Sequence, residues 1–358
     1  MRFSIGKREV GDGTPCYVVY EAGPTHDGLD TAIDLSRLAA EAGADAVKFQ
    51  ILDPDRLVAD RKQLFSYDVL VDRASGRTET ISEPLYELLR RRSMPHADWR
   101  KLKQYCDGLG LAFFATVGFP DEVDFLAEIG CHSVKIASAD INHYPLMRYA
   151  AQRLPSIQID TGNATIGEVE AAVDVLRRAG SERVVIHHCP SGYPARLESI
   201  NLRIIQTLKT MFDLPIAYSD HTPGWDMDIA AIALGANMVE KTITHDCTTR
   251  SVEHMFSLEP ADMVAFVRAV RDLEIALGDA RKQLSDVELK SRLAIRRSAH
   301  ARRALRRGEA LALDAIEFRR PGHGIAPDEI ERYVGAAVTR DLAAGEMIRH
   351  RDLAHGAG

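Results

Sequence analysis

The chain has 358 residues, too many for one ordinary small domain, and its 46% hydrophobic and 27% charged residues give a soluble globular composition. Lys+Arg 45 against Asp+Glu 52 leaves a net charge of −7, which argues against a general nucleic-acid binder. No apolar run approaches the ~20 residues that span a bilayer, so no membrane partner is expected. The charged opening MRFSIGKREVGDGTP lacks the apolar stretch of a signal peptide, and five scattered cysteines form no CxxC pair. A reducing, cytoplasmic location is the expectation.

Strand-like, β-branched runs occur at Tyr17–Ala22, Ala46–Leu52, Leu111–Thr116, Ser133–Ala137, Ser156–Thr161, Arg183–His188, Pro215–Ser219 and Met238–Ile243. Amphipathic helical patterns separate them. TAIDLSRLAAEAGA stops at Gly43 and GEVEAAVDVLRRAG at Gly180, each glycine standing where a helix end favours it. Eight strand–helix units predict a closed (β/α)8 TIM barrel over residues 1–280, with a doubly wound open sheet as the rival. Residues 53–95 are too long and polar for a plain βα connection and predict an inserted loop over the barrel mouth.

Residues 281–297 are polar and helical without a core pattern, and predict a linker. Residues 298–358 predict a small mixed domain with paired RRGEAL and AAGEMI turns and a PGHG loop. The charge divides at the same point: residues 281–358 carry a net +5 and the first 280 a net −12.

In a parallel barrel, chemistry sits at the C-terminal strand ends. That rule selects Glu21, Lys48 with Gln50, Thr116, Lys135 with Ser138, Asp160, Ser191 with Tyr193, Ser219, His221 and the strand-eight group Glu240–Thr242 with His245. Lys48 and Lys135 are costly to bury without anions. They predict either a phosphate or carboxylate cradle with Thr116, Ser138 and Ser219, or core-edge salt bridges to Glu21, Asp160 or Glu240. His221 reads either as a metal ligand or as a loop cap, and Glu21 as a general base or an ion-pair partner. His187 and His188 are neighbours on one strand, so only one of them faces the interior.

The ordered motifs EAGADAVKFQ, KIASADINHYPL, TGNAT, HCPSGYP, SDHTPG and RRPGHGI closely resemble the N-acetylneuraminate (sialic acid) synthase family, with its pseudaminic and legionaminic relatives. The resemblance runs through essentially the whole chain. It implies a (β/α)8 barrel followed by a SAF (antifreeze-like) domain. The implied reaction is condensation of phosphoenolpyruvate with a sugar aldehyde, aided by a divalent metal, Mn²⁺ or Mg²⁺. By the same resemblance, Lys48, Thr116, Lys135, Ser138 and Ser219 fall on phosphoenolpyruvate positions. Glu21 falls on the carboxylate that acts on water, Gln50 and Tyr193 on sugar contacts, and His221 on a metal ligand. Arg320 falls on an arginine inserted from a neighbouring subunit, which implies a domain-swapped homodimer.

The departures from the family pattern fall at substrate and metal positions. Thr242 replaces the second metal histidine, Asp160 a phosphoenolpyruvate-binding serine, Ser191 an asparagine and Glu253 an aspartate, while NHNG reads Thr25-His26-Asp27-Gly28. They predict an active synthase with an altered acceptor and metal requirement. An aldolase or lyase working without phosphate, or a non-catalytic sugar-acid binder, are the competing expectations.

Overall fold

The computed structural model describes residues 1–354. Eight parallel strands close into a barrel: β3 (Tyr17–Glu21), β4 (Ala46–Gln50), β7 (Ala112–Thr116), β8 (Val134–Ile136), β9 (Ile157–Asp160), β10 (Val184–His188), β11 (Ile216–Asp220) and β12 (Met238–Thr242). The barrel is closed by β12 pairing with β3, Thr242 opposite Glu21. The predicted closed sheet is therefore the observed one, and each strand lies within its predicted run except β11, which extends one residue further to Asp220.

Alternation along the strands divides the residues into two sets. Outward side chains such as Val18, Val47, Phe113, Ile159 and Val239 pack under the surrounding helices in one large core. Inward side chains Tyr17, Val19, Ala46, Phe114, Val185, Ala217 and Met238 form an apolar floor. An N-terminal hairpin, β1 (Arg2–Ile5) with β2 (Arg8–Gly11), adds Phe3, Ile5 and Val10 to that floor, and Tyr17 Oη donates to the Ile5 carbonyl at 3.1 Å. The two glycine stops are used as expected: the helix Leu29–Ala42 ends at Gly43, whose φ of 88° suits a residue without a Cβ.

The insert departs from the expectation. Residues 53–95 are not an irregular loop but carry a long antiparallel hairpin, β5 (Leu64–Asp72) with β6 (Arg77–Pro84), followed by the helix Leu85–Arg90. Tyr67, Val69, Leu88 and Leu89 give it a core of its own, which Val252 from the loop after β12 completes. Arg73 bridges Asp246 at 2.7 Å and Glu259 at 2.5 Å, and Arg250 reaches Glu79 at 3.2 Å. The alternation in LFSYDVLVD supplied the strand signal, but the polar partner strand RTETISEP masked it.

The chain divides into two compact units, Met1–Gly278 and Asp279 onward. The second contains the helix Asp286–Ile295 and a two-stranded sheet, β13 (Ser298–Ala301) with β14 (Ile316–Arg319), around a core that includes Leu305, Leu311, Ile325, Val338 and Ile348. Among the described residues, no helix is long and apolar enough to cross a membrane.

Candidate active site

At the C-terminal ends of the strands, above the apolar floor, lies a cavity of about 320 Å³. Its lining includes Glu21, Lys48, Gln50, Thr116, Lys135, Ser138, Asp160, Tyr193, Ser219, His221 and Glu253. Most of the residues singled out from the sequence, Glu240 among them, thus meet in one place. Ser191 does not: it lies in an outer groove with Ile166 and Met211, beside Gly162. Arg320 belongs to the second unit, where it is exposed.

The salt-bridge reading of the lysines holds in the geometry, and the same two side chains line the cavity with Thr116, Ser138 and Ser219. Lys48 Nζ contacts Glu21 and lies 3.1 Å from Glu240 Oε1; Lys135 Nζ lies 2.7 Å from the same Glu240 oxygen and 2.9 Å from Asp160 Oδ1. Two buried cations therefore share three buried carboxylates. The three respond differently. Burial works to raise Glu240, but Lys135 and Lys48 outweigh it and hold the carboxyl far below the usual range. Burial dominates at Glu21 and at Asp160, so both are raised despite Lys48 and Lys135 respectively. Burial opposes the charge on Lys48, yet Glu21 and Glu240 overcome it and keep the ammonium firmly protonated. Glu240 is thus the fixed counter-ion, and Glu21 and Asp160 are the carboxylates able to take a proton.

Behind Lys135 runs a chain of buried polar groups. Lys135 Nζ donates to Ser219 Oγ at 3.1 Å, and Ser219 Oγ meets His187 Nδ1 at 2.9 Å. His187 Nε2 meets Gln158 Oε1 at 2.8 Å, and Gln158 Nε2 donates to Ser133 Oγ at 2.9 Å. Burial, then Lys135, push the His187 imidazole well below its usual value, so it is neutral. A neutral ring with Nε2–H donating to Gln158 accepts the Ser219 proton at Nδ1, which leaves the serine oxygen free to accept from Lys135. His187 is the inward member of the histidine pair; His188 points out, its Nε2 at 2.6 Å from the Ile200 carbonyl. Glu240 and His187 are the residues whose importance the sequence left unresolved. The signal was period-two alternation, counted inward from Val185 on β10 and Met238 on β12.

The rim is more open. Tyr193, 40% exposed, stands with its ring 4.8 Å from His221, and Phe256 backs both at 6.4 and 5.8 Å. Glu253 adopts a left-handed backbone, φ 68°, that only a few per cent of non-glycine residues take. Its Oε2 accepts from Thr242 Oγ1 at 3.3 Å, and burial followed by repulsion from Glu21 raises its carboxyl to about 7. Burial lowers His221 to about 4, so its imidazole is neutral, with Nδ1 3.3 Å from the Pro190 carbonyl.

A transition-metal site does not fit these donors. At the end of β12 stands Thr242, whose hydroxyl is bonded to Glu253 and is a poor substitute for an imidazole ligand. Of the two histidines after β12, His245 is exposed and bonded to Asp34 at 2.7 Å, and His254 is bonded to Thr244 at 2.7 Å. Among the described residues, the one grouping of three potential ligand side chains is Asp246, Cys247 and Glu259. Arg73 already holds both of its carboxylates, and burial lifts the Cys247 thiol to about 11.

Glu21 is set by the turn that follows β3. Gly23 N donates to Glu21 Oε1 at 2.6 Å, and a Cβ built on Gly23 would stand 2.5 Å from that oxygen and 2.8 Å from the Gln50 backbone nitrogen. Gly23→Ala is therefore expected to displace Glu21 and cut turnover at least about tenfold, the cost of ~1.4 kcal/mol of misplacement. Circular dichroism and turnover of the purified variant test this; wild-type turnover would refute it.

The fold and this cavity define a (β/α)8-barrel protein whose mouth holds two buried lysines among three carboxylates, together with a small β domain. The chain belongs to the NeuB family, whose pattern matches residues 35–282, and the SAF domain pattern matches residues 296–354. It is 35% identical over 349 residues to the N,N'-diacetyllegionaminic acid synthase of Legionella pneumophila, covering 96% of each chain. It is 30% identical to the human N-acetylneuraminate-9-phosphate synthase, covering 92% of this chain and 90% of that one. Among solved structures it is similar to the Bacillus subtilis spore coat polysaccharide biosynthesis protein SpsE, with a TM-score of 0.65 at 31% identity over 99% of both chains. A Leptospira borgpetersenii N-acetylneuraminic acid synthetase in complex with citrate gives a TM-score of 0.70 at 28% identity, covering 81% of this chain and 95% of that one.

Proposed function

We propose that the chain is a sugar-acid synthase, a carbon–carbon bond-forming transferase that condenses phosphoenolpyruvate with a sugar aldehyde. The observation that carries this reading is the pair of buried lysines, Lys48 and Lys135, held by Glu240 at the barrel mouth. The enol C3 of the donor attacks the aldehyde carbon, forming the new C–C bond while the carbonyl π-electrons move to oxygen, which takes a proton. Water adds to C2 of the resulting cation, and the tetrahedral intermediate then releases phosphate by breaking its C2–O bond. The product is a 2-keto-3-deoxy sugar acid.

Each step has a group of suitable chemistry. Lys48, Lys135, Thr116, Ser138 and Ser219 are assigned to the donor's phosphate and carboxylate. The arriving negative charge favours protonation of Asp160, whose carboxyl is already raised. Asp160 in place of serine is thus compatible with a phosphorylated donor. Glu21, beside Lys48, is assigned the proton of the attacking water. Glu253, raised to about 7, is assigned to the aldehyde oxygen as proton donor, with Gln50 and Tyr193 contacting the sugar. A Schiff base on Lys48 is disfavoured, because its ammonium is stabilised and a nucleophilic amine must be neutral.

The SAF unit is assigned the delivery of Arg320 to the barrel of a second copy, in a domain-swapped homodimer working in the cytoplasm. Support for a partner comes from the helix Asp286–Ile295, none of whose residues is buried: Val287, Leu289, Leu293 and Ile295 are 52–75% exposed.

The test is phosphate release over a panel of aldoses and aminoaldoses. Release dependent on both phosphoenolpyruvate and an aldehyde is expected; no release across the panel, with and without Mn²⁺ or Mg²⁺, would refute the reading. The same assay reports pH. Glu253 is protonated below its value of about 7, so release is expected to fall as pH rises through 7. Glu253→Gln should abolish that limb, and an unchanged profile would remove Glu253 from the proton-donor role. Linkage gives the companion sign: a carboxyl raised from 4.5 binds its proton more tightly in the folded chain, so its contribution to stability declines as pH rises between about 4.5 and 7.

A further inference from the structure

Beside the mouth lies a second cavity of about 260 Å³, bounded by the turn after β3, the end of the insert and the loop after β12. Two of its side chains are anomalous. Arg92 is 6% exposed, and its guanidinium makes one hydrogen bond, from Nη2 to Ser251 Oγ at 2.8 Å. The other buried cations, Lys48, Lys103, Lys135 and Lys241, each contact a carboxylate. Among the described residues, Arg92 is the buried cation with no carboxylate within 4.0 Å. An uncompensated buried charge is expensive and persists only where something makes it useful.

His26 is the second anomaly. It is 2% exposed and edge-packed on Phe49 at 5.6 Å and Trp99 at 5.8 Å, yet neither ring nitrogen makes a hydrogen bond. The Gly28 backbone stands close enough to favour the ring's proton slightly, although neither nitrogen meets hydrogen-bond geometry. Burial and then Arg92 lower His26 to about 4, so it is neutral and offers one N–H. Ser251 accepts from Arg92 and keeps its own hydroxyl proton to donate. Two further polar groups are already engaged: Thr25 donates to the Ile243 carbonyl at 2.6 Å, and Thr244 meets His254 at 2.7 Å. The nearby acidic groups are likewise committed, Asp27 to Thr31, Asp34 to His245 and Glu253 to Thr242.

We propose that this cavity is an oxyanion subsite in which Arg92, His26 and Ser251 converge on a phosphate or carboxylate group. Guanidinium, imidazole N–H and hydroxyl are the donor types that tetrahedral and planar oxyanions require. The site adjoins the mouth through Glu253, which lies between Ser251 and His254 in sequence and lines the first cavity. The oxyanion has two candidate sources: a charged group remote from the aldehyde of the acceptor, or free inorganic phosphate. The first rests on the synthase reading above; the second does not.

The test titrates the full chain with inorganic phosphate by calorimetry, without and with saturating phosphoenolpyruvate to occupy the mouth. Phosphate binding that persists under phosphoenolpyruvate, and weakens at least tenfold in Arg92→Gln and in His26→Phe, is expected. The phenylalanine keeps the aromatic packing on Phe49 and Trp99 and guards against a folding artefact. Binding that vanishes under phosphoenolpyruvate, or survives unchanged in both folded variants, overturns the proposal. A parallel titration with an aldose and its terminal phosphate distinguishes the sources. A tenfold preference for the phosphate that is lost in Arg92→Gln assigns the acceptor, and Arg92-dependent binding of inorganic phosphate without that preference assigns the free ion. If the chain binds no phosphoenolpyruvate, the synthase reading fails while the Arg92-dependent phosphate site is still scored.

Discussion

Lys135→Met is expected to lower phosphate release by at least ~10²–10³-fold and to destabilise the barrel by ~3 kcal/mol at neutral pH. The substitution keeps an unbranched side chain but removes the charge 2.7 Å from Glu240 and 2.9 Å from Asp160. Glu240 retains Lys48, whereas Asp160 loses its contacting cation in a buried site. Breaking a buried pair by removing one partner generally costs ~3–5 kcal/mol. The lower figure is expected because Asp160, already raised by burial, has a protonated form available. The sign of the pH effect follows. Without Lys135 the folded chain binds the Asp160 proton more tightly than the unfolded chain, so lowering the pH should restore stability. Urea denaturation at pH 7.5 and 5.5 measures this; equal losses at the two values would contradict it.

Glu21→Gln is expected to cut turnover by ~10²–10⁴-fold, the range for a removed general base. Its effect on stability should be smaller than that of Lys135→Met, since Lys48 keeps Glu240 at 3.1 Å. Comparable thermal midpoints with a large loss of phosphate release would separate chemistry from folding. The same variant tests the swapped arrangement. Glu21→Gln damages the barrel and Arg320→Ala the SAF unit, so in a swapped mixed dimer both lesions fall on one composite site and leave the other intact. Mixing the two inactive proteins under subunit exchange should restore about a quarter of the wild-type activity per chain, as random pairing into symmetric dimers requires. No recovery after demonstrated exchange would place Arg320 and Glu21 of one chain in the same site, and an Arg320→Ala variant that is active alone would remove Arg320 from the reaction.

The strands were legible because a parallel barrel buries both faces of each one, and β-branched runs such as VVIHH and MVEKT advertise that burial. The strand-end rule then collected most of the mouth without any knowledge of side-chain contacts. What it could not resolve were relations across the barrel. Lys135 meets Glu240 over 105 positions of sequence, and its choice between anion cradle and salt bridge depends on that partner. His187 became distinguishable from His188 only once the inward set was fixed. Ser191 illustrates the opposite limit. Its place in the motif pointed to the mouth, but the turn carrying it leaves the serine in the outer groove while Tyr193, two residues on, reaches the cavity. The oxyanion pocket was least legible, because Arg92 lies at the end of an insert whose hairpin the polar sequence concealed.

The ties between that hairpin and the loop after β12 bear on how such an enzyme would acquire a new acceptor. Arg73 and Arg250 cross between the two segments in opposite senses, and Val252 sits in the hairpin's own core. Transplanting either segment alone into a related barrel would strand charges and open a hole beneath the rim. Residues 53–95 and 243–259 therefore form a single packed unit, and on the synthase reading proposed above an exchange of rim segments has to move them together while the strand-borne lysines stay untouched.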